Sequence, residues 1–273
     1  MKRFMVVLST WAMGVALLGV GSPMSASAQV PAVAPPVPVS MPGGFTPLSP
    51  SRLLDTRDGT GAPKVAVAAK GTVHLQVADN GGVPASGVVS AVVLNVTVTA
   101  PTTFGFVTVY ADGATRPTAS NLNFVKGQTV PNLVIAPVGA NGQVDLYNGS
   151  TGTIQLLADV SGYSLAGDPT AAGAFASLAP FRLLDTRDCT GATKAAVTPG
   201  GSVSLQVAGT DGIPSSGVPA VALNVTVASP TSSGFGSAAP VWPARPRRSA
   251  LWSAHGRVDP GFAVVAARVG APG

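Results

Sequence analysis

The chain has 273 residues, 46% of them hydrophobic and only 10% charged, with a formal net charge of +5. A single cysteine excludes an internal disulfide, and the absence of glutamate leaves Asp as the sole acid, a residue better suited to turns than to helices. The basic excess sits at the two ends, at Lys2 and Arg3 and then at Arg245, Arg247, Arg248, Arg257 and Arg268, so the near-neutral middle excludes a nucleic-acid-binding reading.

Lys2 and Arg3 precede an apolar run from Phe4 to about Gly21, and Ala26-Ser27-Ala28 follows. This order of basic, apolar and small residues predicts a secretory signal peptide over residues 1–28, cleaved after Ala28. No later apolar run has spanning length, so a secreted protein without a membrane segment after cleavage is expected. Residues 29–44 carry Pro31, Pro35, Pro36, Pro38 and Pro42 and read as a semi-rigid linker.

From Phe45 to Leu165 short apolar runs alternate with turn residues. Val73, Leu75 and Val77 share one side of an extended segment, and Thr72, His74 and Gln76 share the other. Similar runs span Val92 to Thr99, Phe106 to Tyr110, Leu122 to Val125, Leu133 to Val138, Val144 to Tyr147 and Ile154 to Val160. Between them stand Asp79-Asn80-Gly81-Gly82, Asp112-Gly113, Asn141-Gly142 and Asn148-Gly149. No stretch has helical periodicity with caps, so residues 45–165 predict an all-β domain of about seven or eight strands. Its composition suits an antiparallel β-sandwich of jelly-roll or immunoglobulin-like type.

A second linker, 166–174, leads into a copy of the first domain. Arg52-Leu53-Leu54-Asp55-Thr56-Arg57-Asp58-Gly59-Thr60-Gly61 returns from Arg182 to Gly191 with Cys189 as the one change. A period of about 130 residues is too long for a solenoid and predicts two tandem domains. The likeness continues through Leu94-Asn95-Val96-Thr97-Val98 with Leu223 to Val227, and through Gly105-Phe106 with Gly234-Phe235. Beyond Phe235 the chain has no Thr, Asn, Gln, Ile, Lys or Tyr, as either divergence or a shifted reading frame would produce. Residues 175–273 are therefore expected to form a truncated second sandwich, aberrant after 235 and without counterparts for the last two strands.

No catalytic signature stands out. His74 becomes Ser204 in the second copy, Cys189 has no nearby histidine in sequence, and no nucleophile elbow or metal-ligand spacing occurs. No enzyme activity, cofactor or metal is expected. Arg52, Asp55 and Arg57 suit a hydrogen-bonded ion network fastening a strand start, with Asp159 from the last strand; Arg182, Asp185 and Arg187 repeat it. The alternative is ligand contact by Arg57 and Asp55. Of the aromatic set Phe104, Phe106, Tyr110, Tyr147 and Tyr163, Tyr147 beside Asn148 on a loop is the best candidate for stacking on a sugar ring.

The series Arg52 to Arg57, Gly82-Val83-Pro84, Leu94 to Val98, Thr108-Val109-Tyr110, Ser120 to Phe124, Gly127-Gln128-Thr129, Asn132, Val138 to Gly142 and Ala158 to Tyr163 resembles a repeat module of secreted actinobacterial proteins. That module occurs in tandem or beside hydrolase and adhesion domains. The resemblance implies an extracellular accessory module with no catalytic residues to carry over. The expected function is association with cell-surface or extracellular polysaccharide. Alternatives are a structural or adhesive protein that binds another protein, or a non-functional remnant of a larger secreted enzyme. Secretion has a direct check: the N-terminal sequence of protein recovered from culture medium begins at Gln29, and an N-terminus at Met1 contradicts the assignment.

Overall fold

The computed structural model describes residues 41–171, 173–236, 238, 251–253 and 259–266. The expected signal peptide, residues 1–28, and residues 29–40 of the expected linker lie outside them. The chain is all-β, with no helix among the described residues. Eight strands come from residues 45–165: β1 (Phe45–Asp55), β2 (Thr72–Gln76), β3 (Val89–Thr99), β4 (Gly105–Ala111), β5 (Leu122–Phe124), β6 (Val130–Pro137), β7 (Gln143–Asn148) and β8 (Gln155–Leu165). They form two four-stranded antiparallel sheets, ordered β1-β8-β3-β6 and β2-β7-β4-β5.

The period-two alternation decides what each sheet buries. Leu94, Val96 and Val98 on β3 and Leu156, Ala158 and Val160 on β8 are fully buried from the first sheet. Val107 and Val109 on β4, Val144 and Leu146 on β7, and Leu122 on β5 are fully buried from the second. These side chains belong to one apolar cluster shared by both sheets, the layered arrangement of a β-sandwich.

Tight turns set the registers. In the turn after β2, the Asp79 N–H donates to the carbonyls of Val83 (3.1 Å) and Pro84 (3.3 Å), and the Val83 N–H donates to Asn80 (2.9 Å). Gly61 has φ +68°, and a Cβ there would collide with the Leu53 carbonyl oxygen, so glycine is required twice over.

The repeated segment reproduces these turns. Gly209 donates to Ile213 (3.0 Å) and Pro214 (3.1 Å), Gly191 has φ +67°, and the Asp185/Thr190 bridge mirrors that of Asp55 and Thr60. Cys189, at φ 78°, holds the left-handed conformation that Gly59 adopts at φ 96°. The counterparts of β1 and β2, however, are not strands. Their partners in the first copy are β8 and β7, and among the described residues no strand stands in the equivalent places.

Four further strands do form: β9 (Ala220–Val227), β10 (Gly234–Gly236), β11 (Leu251–Ser253) and β12 (Asp259–Ala266). Asn224 pairs with Phe262 as Asn95 pairs with Leu133, and Phe235 pairs with Trp252 as Phe106 pairs with Asn123. Both pairs keep the register of β3 with β6 and β4 with β5. After Phe235 the residue types change, but the backbone pairing does not.

Side-chain burial separates the copies. Leu53, Leu54, Leu75 and Val77 are buried, while Leu183, Leu184, Leu205 and Val207 are each partly exposed. Among the described residues from 166 to 234, Ile213 is the one buried apolar side chain. Leu94→Ala should therefore destabilise the protein by about 3 kcal/mol, and Leu223→Ala, at the matching position on β9, by less than about 1 kcal/mol. Urea denaturation of the two variants checks this, and equal losses would contradict the difference in packing.

Candidate functional site

Two clusters of polar side chains are built into residues 45–165. The first gathers the repeated motif. Arg52 stands opposite Asp159 in the β1/β8 pairing, where β1 is irregular on both sides of Ser51 and Arg52. The Arg52 guanidinium spans two carboxylates: Nε donates to Asp159 Oδ1, Nη2 to Asp159 Oδ2 (3.3 Å) and Nη1 to Asp55 Oδ2 (2.9 Å). Arg57 grips Asp55 from the other side, with Nε to Oδ1 (2.9 Å), Nη2 to Oδ2 (2.6 Å) and its backbone N–H to Oδ1 (3.0 Å). Thr56 extends the fastening to β8, donating to Gln155 and accepting the Leu156 N–H at 3.0 Å.

The Asp55 side chain is 3% exposed, whereas those of Arg52 and Arg57 are 40% and 51% exposed. The fork of Arg57 holds the Asp55 carboxyl well below the usual carboxylate range, against the opposing effect of burial. Both Asp55 oxygens are engaged twice over, which leaves neither for a ligand. Asp58 accepts the Thr60 N–H (2.9 Å) and shapes the following turn. In the repeated segment, Arg187 makes the same bidentate contact with Asp185 (2.8 and 2.6 Å), and Arg182 donates to Asp185 at 3.4 Å. Where Arg52 reaches Asp159, Arg182 instead reaches the Thr118 carbonyl at 3.3 Å.

The second cluster lies on the face of the β2-β7-β4-β5 sheet that points away from the shared core. His74, Asp145 and Tyr110 are register partners across β2, β7 and β4. His74 Nδ1 is 2.7 Å from Asp145 Oδ1 and 3.2 Å from Asp112 Oδ2, on the turn that follows β4. Burial alone would lower the His74 pKa, but Asp145 and Asp112 outweigh it and raise the pKa above its ordinary value. Burial, reinforced by the Asp145 charge, pushes the Tyr110 hydroxyl up.

One residue pair along, Tyr147 packs against Phe106 with ring centroids 6.4 Å apart and planes tilted by 55°. The Arg116 guanidinium carbon sits 3.9 Å from the centre of the Tyr147 ring, a cation–π contact. Phe104, just before β4, is 77% exposed.

No protein-family model matches the chain, and no curated protein matches it. The site must be read from its own chemistry.

That chemistry corrects the expectation for Tyr147 and Asn148. They close β7 rather than lie on a loop, and both are buried, Tyr147 at 8% and Asn148 at 0% exposure. The Asn148 amide donates to the carbonyls of Val67 (3.2 Å), Ala68 (2.9 Å) and Gly152 (2.9 Å), so it pins the loops flanking β7. Asn148-Gly149 carries a turn signal in sequence, but the cross-strand partner Val107 draws Asn148 into the sheet.

The structure brings together Arg52, Asp55, Arg57 and Asp159, and separately Arg182, Asp185 and Arg187. It does not join Tyr147 and Asn148 to either group. Sequence reasoning missed the union of His74, Asp112 and Asp145 and the placement of Arg116. Asp145 was the available signal, an acid amid the apolar residues of β7, but its partners lie 33 and 71 residues away.

The pKa direction of Asp55 sets a pH dependence. A carboxyl lowered in the folded state contributes stability that is present above its unfolded value, near 4, and lost as pH falls through the acid range. Asp55→Asn should reduce stability at pH 7 by about 3 kcal/mol, at the low end for breaking a buried pair because both guanidinium heads reach solvent. It should also flatten the acid limb of a plot of unfolding free energy against pH. An unchanged acid limb would show that Asp55 does not carry it.

Proposed function

We propose that this chain is a secreted, non-enzymatic protein that associates with extracellular or cell-surface polysaccharide, and that it belongs with the tandem repeat modules its motifs resemble. On this reading residues 45–165 are a jelly roll and residues 175–273 belong to a second module of the same kind. The strand orders β1-β8-β3-β6 and β2-β7-β4-β5 support the jelly-roll assignment, because both sheets interleave early and late strands as two nested Greek keys do. The common turns and common registers of the two copies support the tandem assignment.

The observation that carries the function is the composition of the outward face of the β2-β7-β4-β5 sheet. Phe106 and Tyr147 form a tilted aromatic pair there, and Arg116 lies over one ring. His74 and Asp112 stand nearby on the same face, with Phe104 exposed at its margin. Accessible aromatic side chains, here Phe104 and half-buried Phe106, with fixed polar side chains beside them are the chemistry that packs on a sugar ring and hydrogen-bonds its hydroxyls. The buried motif around Asp55 serves the fold and takes no part in this reading.

Co-sedimentation of the secreted chain with purified peptidoglycan, chitin and cellulose tests the proposal. Retention on one of these glycans is expected. A Phe104→Ala, Phe106→Ala double variant should weaken it about tenfold, equivalent to about 1.4 kcal/mol. Absence of retention on all three would overturn the assignment.

A further inference from the structure

We propose that His74, Asp112 and Asp145 form a binding site for a divalent transition-metal ion, with zinc the best fit. One donor atom from each residue lies within 4.8 Å of the other two, and the donors come from three separate elements: β2, the turn after β4, and β7. His74 Nδ1 already lies 2.7 and 3.2 Å from the two carboxylate oxygens. Donors around a tetrahedral zinc sit about 3.3 Å apart, so the 3.2 Å contact already fits and the 2.7 Å contact lengthens by about half an ångström as the ion enters. One imidazole and two carboxylates make a mixed nitrogen and oxygen set that suits zinc better than calcium or magnesium.

A second observation sets this cluster apart from an ordinary surface ion pair. Asp55, Asp145 and Asp185 are the buried aspartates among the described residues. Asp55 and Asp185 are each held by two arginines, but the ion-pair contact of Asp145 is His74. Asp145 is thus a buried carboxylate at 5% exposure without an arginine or lysine in contact, on a face where Asp112 adds a second negative charge. A divalent cation at the focus of His74 Nδ1 and the two carboxylates takes the place of the Nδ1 proton and sets two positive charges against two negative ones. The Tyr110 hydroxyl, hydrogen-bonded to Asp145, then acts as a positioning group behind the ligand.

The ligand set is open. Three protein donors leave a fourth position for water or an incoming hydroxyl, and the His74 side chain is 60% exposed, so the position faces solvent. The second copy has Ser204 where the first has His74, which confines the site to residues 45–165.

The test uses the full secreted chain, stripped with chelator and titrated with zinc chloride by calorimetry. Uptake of one zinc ion per chain is expected, and His74→Gln and Asp112→Asn should each lose it while keeping the wild-type circular dichroism spectrum. Because Cys189 and His255 could also attract metal, cobalt(II) provides an independent readout on the unaltered chain. A visible band of nitrogen and oxygen ligation without a thiolate charge-transfer band supports the site. No zinc uptake by the wild type, undiminished uptake by His74→Gln, or a thiolate band from Cys189 each overturns it.

Discussion

Strand β8 is the element on which the rest of the structure depends. It pairs with β1 along one edge and with β3 along the other, and its inward side chains Leu156, Ala158 and Val160 are fully buried. Its outward Asp159 receives the Arg52 guanidinium, which ties the irregular stretch of β1 to the sheet. A strand in the middle of a sheet satisfies backbone donors and acceptors on both of its neighbours. Those groups are costly to bury without partners, so neighbour and core stand together.

The two copies of the repeat separate the local from the non-local part of this physics. Turns depend on a few adjacent residues, and the Asp79 turn and its Gly209 counterpart make equivalent hydrogen bonds. The Asp185 carboxylate is gripped by Arg187 as Asp55 is by Arg57, because both members of each pair lie within three residues. Strands need a partner from elsewhere. The segments matching β1 and β2 remain irregular, whereas β9 and β10 find β12 and β11 at the inherited register. The second copy leans on the first instead: Asn224 donates to the Ser120 carbonyl at 2.7 Å and accepts from Asn132 at 2.9 Å.

The two polar clusters answer one problem in different ways. Asp55 is buried beneath two arginines whose stems cover it and whose heads remain wet, a closed arrangement that fastens the chain. Asp145 is buried beneath a histidine and a tyrosine, with no arginine or lysine in contact. The first is a local motif with a sequence signature, while the second is assembled across three strands and has none.

Alternation and turn chemistry by themselves determined the all-β class, the approximate strand positions between Val73 and Val160, and the duplication. The reason is that period-two burial and glycine-dependent turns are written in neighbouring residues. The Arg52 to Arg57 motif was legible for the same reason, down to its use of charge-assisted hydrogen bonds. Tertiary structure alone decided which strands are neighbours, that Asn148 closes a strand rather than a loop, and that His74, Asp112 and Asp145 converge. Those outcomes depend on pairings between residues from 15 (Val107 with Leu122) to 119 (Phe45 with Ser164) positions apart, and only sheet register sets the distance between their side chains.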